Sequence, residues 1–252
     1  MLRHVSSTQK GEKLKYLVLG GSGGIGQAVT RRLLRDGHEV YSSYFANEVN
    51  FRSDYSCGIH ELYLDMTNPK ELRSKLQDLD DFDGLIHCAG IARAEKIQDI
   101  NDSNIQDMLY VNLQSAIVAT SVLFPGMIKR KFGRLVFFGS IVGREGGIGL
   151  SAYAATKSGL EGFTRSIHKE IILRKSREPD LNMTVNLIRP GYVKTSMTHK
   201  LNEKIRENIE TKSTLGRFLE PEEVSEFVCF LLKPKSEYIS GRFHDIDGGQ
   251  EL

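Results

Sequence analysis

Short aliphatic runs alternate with longer helical patterns along nearly the whole chain. Lys15–Leu19 (KYLVL), Glu39–Tyr44, residues 59–64, 83–88 (DGLIHC), 134–139 (RLVFFG) and 183–188, and Arg242–Ile246 each read as a strand. Between them, 25–36 reads as a helix ending at Gly37, and 68–79 as one capped by Asn68 with Pro69 in its first turn. A long helix is expected over 104–131, a second over Ser151–Lys175, and a shorter one over 222–232 after Pro221. Right-handed crossovers then place helices on both faces of a parallel sheet. The expectation is a single α/β domain over residues 1–252, a Rossmann-like doubly wound parallel sheet of about seven strands, with 1–13 as a flexible tail. Residues 188–219, rich in Lys, Thr and Asn, form the least regular long connection, the natural place for a substrate lid.

Composition narrows the function classes. The 252 residues carry 34 Lys plus Arg against 32 Asp plus Glu, a net +2, which excludes a grossly basic nucleic-acid binder. With 40% hydrophobic and 26% charged residues the chain is an ordinary globular sequence. Cys57, Cys88 and Cys229 are widely spaced without a CxxC, so no disulfide framework and no metal site is expected. Residues 1–15 are polar and basic with no apolar h-region. Residues 116–128, the most apolar stretch, are interrupted by Thr120, Ser121, Pro125 and Gly126, short of the ~18 continuous apolar residues of a membrane span. A cytoplasmic protein without nucleic-acid or membrane partners is expected.

Between the first strand and first helix lies Leu19-Gly20-Gly21-Ser22-Gly23-Gly24-Ile25-Gly26. There a glycine loop can present backbone N–H groups and a positive helix end to a pyrophosphate. The glycines fit GxGxxG as Gly21, Gly23 and Gly26, and GxxxGxG as Gly20, Gly24 and Gly26. The acid expected ~20 residues on, which would hold a ribose 2′-hydroxyl, is missing. The second strand ends Ser42-Ser43-Tyr44-Phe45, with Arg52 the nearest base, so a 2′-phosphate meets no carboxylate and NADP(H) is favoured over NAD(H). Asp65 either bonds the adenine amino group or begins the turn into Asn68.

Tyr153 and Lys157 stand four residues apart in a helix, hence on one face. An ammonium beside a phenol favours the phenolate and equips the tyrosine for proton transfer at a carbonyl or alcohol oxygen. Ser140 ends the fifth strand at its carboxyl edge, where such sheets bind ligands. Asn112 is a polar interruption of an apolar helix face, and His87 reads as a satisfied strand-end histidine.

Gly20/Gly24/Gly26, Cys88-Ala89-Gly90, Asn112, Ser140, Tyr153-Ala-Ala-Thr-Lys157 and Pro190-Gly191 resemble, in order and spacing, the short-chain dehydrogenase/reductases, from about residue 13 to 249. The resemblance implies a catalytic tetrad: Tyr153 as general acid, Ser140 orienting the carbonyl, Lys157 holding the nicotinamide ribose and lowering the tyrosine pKa, and Asn112 anchoring a water. It implies a cofactor site over Gly20, Ser22, Gly23, Gly24, Ile25, Gly26, Ser43, Tyr44, Asp65, Met66, Ala89, Gly90, Tyr153, Lys157, Pro190, Gly191, Val193 and Thr195. Leu19 stands where the family has Thr, and His87-Cys88 replace an Asn pair, both departures in local hydrogen bonding.

Within the family, 162–166 (GFTRS), 190–195 (PGYVKT), 215–218 (LGRF) running into Pro221-Glu222-Glu223-Val224, and the closing Gly241 through Asp247-Gly248-Gly249 are similar to β-ketoacyl-acyl-carrier-protein reductases. That implies reduction of a 3-oxoacyl thioester, with Lys129, Arg130, Lys131 and Lys169 either facing an acidic carrier protein or forming a solvated helix end. The alternatives are a dehydrogenase of another secondary alcohol, sugar or steroid, and a non-catalytic dinucleotide-binding scaffold. The family also implies a homotetramer through the two long helices, where Ala152, Ala154, Ala155, Ser158 and Gly159 either permit close helix approach or pack against the sheet.

Overall fold

The computed structural model describes residues 13–250 apart from positions 47, 48, 50, 56, 80 and 200 and the side chain of Arg52. The expected tail therefore lies outside the described residues, Lys13 excepted. Seven parallel strands form one sheet: β1 (Lys15–Leu19), β2 (Glu39–Tyr44), β3 (Ile59–Tyr63), β4 (Gly84–His87), β5 (Phe132–Phe138), β6 (Asn182–Pro190) and β7 (Arg242–Ile246). Their order is β3-β2-β1-β4-β5-β6-β7, so the winding reverses between β1 and β4 and opens a crevice at the carboxyl ends of those strands.

Both sheet faces are covered, as the continuous apolar strands require. Leu17 and Leu19 of β1 and Leu135 and Phe137 of β5 enter one core, and Tyr16, Val18, Val136 and Phe138 enter the other. The first core is roofed by α2 (Pro69–Gln77), α4 (Ser115–Arg130) and α6 (Ser151–Lys175). The second is roofed by α1 (Gly24–Arg35) and α8 (Pro221–Leu232).

Three expectations change. The long helix is α3 (Asp102–Leu109), a π turn (Tyr110–Gln114) and then α4, rather than one regular helix. A single helical turn, α5 (Ile141–Glu145), follows Ser140. The irregular connection contains α7 (Glu203–Thr211), capped by Asn202, whose side chain accepts from Ile205 N at 2.9 Å. That helix buries only Ile209, and Ile205 and Ile209 are its whole apolar face, too short a pattern to register in a polar connection.

By length and composition Asp102–Arg130 is apolar enough to cross a bilayer, which the count of uninterrupted apolar residues did not register. Here it serves as a core helix, with Met108, Ala116, Ala119 and Met127 buried.

Candidate active site

The glycine loop is shaped by close approach. Gly20 has φ +79°, and a Cβ there would lie 2.6 Å from Ala89 Cα. At Gly26 a Cβ would lie 2.1 Å from Gly20 O, and at Gly24 2.6 Å from Thr195 Cγ2. A Cβ at Gly21 would lie 1.9 Å from Ser42 Oγ and one at Gly23 3.3 Å from Gly20 O, so both glycine spacings are sterically constrained along their length. Gly23 is the N-cap of α1, so the N–H groups of Gly24, Ile25 and Gly26 have no partner within the helix. This cradle, which any side chain would fill, fits a dinucleotide pyrophosphate.

The hydroxyl missing at Leu19 is supplied from the neighbouring strand. Ser43 Oγ accepts from Gly20 N at 2.8 Å, and Ser22 N donates to Ser43 O at 3.2 Å. Ser42 Oγ pairs with Thr30 Oγ1 at 3.2 Å. Both serines are buried and hold the loop from below, while Tyr44 packs edge-on against Tyr63. The Arg52 side chain lies outside the described residues. Asp65 makes the turn contact, its Oδ1 accepting from Thr67 N at 2.8 Å and Thr67 Oγ1 at 2.7 Å while Oδ2 takes no part in it, and Met66 beside it is buried.

The tetrad residues come together at the carboxyl edge of β5. Ser140 caps α5, its Oγ accepting from Val142 N at 3.1 Å, which leaves its O–H proton for another acceptor. Gly143 lets α5 sit on α6: a Cβ there would lie 2.9 Å from Lys157 Cβ, and Ser158 Oγ donates to Gly143 O at 2.5 Å. Lys157 is buried, and its Nζ donates to Phe138 O at 2.8 Å. That ammonium lies 5.8 Å from the Tyr153 ring centroid.

The electrostatics correct one expectation. Burial pushes the Tyr153 phenol up, the Ser140 hydroxyl pulls it back, and no lowering by Lys157 is among the causes. Burial brings Lys157 itself down to about 8. The lysine is turned toward the strand end, so spacing on one helix face did not bring ammonium and phenol into direct contact.

Asn112 lies in the π turn, fully buried. Its Nδ2 donates to Ile91 O at 2.9 Å and Thr156 Oγ1 at 3.1 Å, and its Oδ1 accepts from Ile91 N at 2.8 Å. Thr156 Oγ1 in turn donates to Tyr153 O at 2.7 Å. A Cβ at Gly90 would lie 3.3 Å from Lys157 Nζ and 3.7 Å from Asn112 Oδ1, so this glycine keeps the space between them open.

On the other side of the crevice, Pro190 ends β6, and Gly191 N donates to Ile246 O at 2.9 Å. Val193 is buried and bridges to Leu219, while Thr195 rests against Gly24. Val193 O and Thr195 N are both tied to Thr198 Oγ1, at 2.6 and 3.0 Å.

A family model described as "Enoyl-(Acyl carrier protein) reductase" matches residues 20–251. The chain belongs to the short-chain dehydrogenase/reductases. It is 36% identical over 240 residues to carbonyl reductase family member 4 of Xenopus laevis, covering 93% of this chain and 97% of that one. It is 32% identical over 245 residues to the 3-oxoacyl-(acyl-carrier-protein) reductase of Vibrio cholerae, covering 94% and 96%. The acetoacetyl-CoA reductase of Allochromatium vinosum is 30% identical over 244 residues, covering 92% and 96%. The protein is thus an oxidoreductase of this family, with an NAD(P)-type cofactor.

Several family-derived positions meet other partners in the fold. Arg130 pairs with Asp81 at 2.7 Å and Lys131 with Asp180 at 2.5 Å, so half of the supposed docking cations are neutralised within the chain. Lys129 and Lys169 remain exposed. Gly159 packs on Leu113 of the π turn, where a Cβ would lie 3.0 Å from Leu113 Cδ2. Sequence reasoning missed Ile91, Thr156 and Phe138, because backbone atoms supply two of these contacts and Thr156 only acquires meaning beside Asn112.

Proposed function

We propose that the protein is an NADPH-dependent reductase of 3-oxoacyl thioesters. The grouping of Ser140, Tyr153 and Lys157 at the sheet edge beside the glycine cradle carries this reading. Reduced nicotinamide, when bound, supplies the hydride to the carbonyl carbon. Ser140 uses its O–H to hold the carbonyl oxygen, and Tyr153 delivers a proton to the same oxygen. Lys157 holds the nicotinamide ribose, and Asn112 anchors a water in the space beside Gly90 that reconnects Lys157 with solvent.

Preference for NADPH is supported by the uncharged end of β2, where Tyr44 and Phe45 offer no carboxylate to repel a 2′-phosphate. The substrate class is supported by the relatives named for 3-oxoacyl and acetoacetyl thioesters. A carrier protein is the thioester's bearer, met by Lys129 and Lys169. Exposed Ala155, Ser158 and Gly162 on one face of α6, with Leu109 and Ile117 exposed on α3 and α4, support a homotetramer, and the reading places it in the cytoplasm.

The test is oxidation of NADPH and NADH with an acetoacetyl thioester. Faster NADPH consumption, with 3-hydroxybutyryl thioester as product, is expected. Turnover only of unrelated alcohols with NAD would assign a different dehydrogenase, and cofactor binding with no turnover across ketones would assign a scaffold.

A further inference from the structure

The π turn that carries Asn112 is held from outside its helix. Ser115 N donates to Tyr110 O, five residues back, so Val111 O loses its ordinary helical donor. The Ser115 hydroxyl replaces it, donating to Val111 O at 2.6 Å. With that proton committed, the 2.6 Å contact between Ser115 Oγ and His87 Nε2 requires the imidazole to be the donor. His87 is fully buried at the end of β4, and its Nδ1 has no partner among the described residues. Burial and the nearby Lys157 bring its pKa down to about 3, so the ring is neutral at any working pH. A buried imidazole with one idle nitrogen packs less favourably than an apolar side chain of that size, unless its other nitrogen is needed.

We propose that His87, as the neutral Nε2–H tautomer, is a positioning residue that acts through Ser115 to hold the π turn and so set the location of Asn112. From there the hydrogen bonds continue to Ile91, to Thr156 and to the carbonyl of Tyr153. One unbroken chain links the strand end to the turn of α6 that bears the proton donor. The consequence for turnover rests on the reductase reading; the structural link does not.

The experiment compares His87→Phe, Ser115→Ala, the double variant and His87→Gln, whose amide N–H reaches a position close to that of imidazole Nε2. With acetoacetyl thioester and NADPH, kcat falls at least tenfold in the first two while the KM for NADPH stays within twofold. The double variant is no worse than either single one, because both break the same chain. His87→Gln recovers most of the rate. Amide hydrogen exchange, which needs no activity, speeds up at residues 91 and 110–115 in His87→Phe and Ser115→Ala but not in α1 or α8. Native kcat in His87→Phe, additive losses, or unchanged exchange at the π turn would each overturn the proposal. Wild-type protein that reduces no ketone yet shows the localised exchange change would defeat the reductase reading and leave the positioning link standing.

Discussion

Lys157 follows Tyr153 by one helical turn, yet its ammonium donates to Phe138 O at 2.8 Å and lies 5.8 Å from the Tyr153 ring centroid. The strand end therefore orients the lysine, and burial keeps the proton on the phenol against the opposing pull of the Ser140 hydroxyl. A tyrosine that stays protonated suits the reductive direction, in which it must donate.

Tyr153→Phe removes the donated proton and little else. A loss of about 10²–10⁴ in kcat is expected, the usual worth of a general acid. Cofactor affinity, read from the quenching or enhancement of NADPH fluorescence, stays within a few-fold. Retention of more than a tenth of the rate would mean that another group protonates the oxygen.

Lys157 makes stability depend on pH in a defined window. Its folded pKa of about 8 lies below the ordinary lysine value of 10.5, so the unfolded chain binds the extra proton between those two values. Stability consequently rises as pH goes from about 8 to about 10.5, by of order 3 kcal/mol from this group, and below 8 its burial penalty is fully present. Urea denaturation of the cofactor-free protein and of Lys157→Met across that range is the check. The advantage of the methionine variant at neutral pH shrinks as pH rises; a constant gap would contradict the lowered pKa.

Gly26→Ala places a methyl group 2.1 Å from Gly20 O, a backbone atom that cannot swing away. Overpacking of about 1–3 kcal/mol is expected, together with loss of NADPH binding as the loop opens. Thermal melting and cofactor titration should move together in this variant. Ser43→Ala, which removes the acceptor of Gly20 N–H, costs about 1 kcal/mol and raises the KM for NADPH with kcat little changed.

Carrier recognition separates by substrate form. Lys129→Glu with Lys169→Glu raises the KM for a carrier-borne 3-oxoacyl thioester several-fold and leaves the KM for the free coenzyme thioester alone, with an effect that fades as salt rises. Arg130→Gln lowers thermal stability instead, since Arg130 is paired with Asp81 and Asp83. Equal sensitivity of both substrate forms to the lysine changes would remove carrier docking from this face.

The central strands β1, β4 and β5 were legible because they are buried runs of mainly apolar residues, and the outer strands and main helices because turn and capping residues such as Gly37, Asn68 and Pro221 bound them. The bounds of β1, β2, α6 and β7 agree to the residue. Elements that bury almost nothing left no such trace: α7 rests on little more than Ile209, and α5 is one turn started by the cap at Ser140. The π turn was invisible for a different reason. The side chain that stabilises it, His87, comes from a strand 28 residues before Ser115, and no local pattern records that pairing.

The residue types at the site and their order along the chain were thus set by sequence alone, since glycines, hydroxyls and a lysine at those spacings carry their chemistry wherever they meet. Direction was decided in three dimensions. Lys157 faces Phe138 and not the phenol, Ser43 supports the loop, Asp65 closes a turn, and Arg130 and Lys131 are spent on acids within the chain. A side chain's hydrogen-bond partner depends on what the folded chain brings within about 3 Å of it, and that distance is a property of packing rather than of order along the chain.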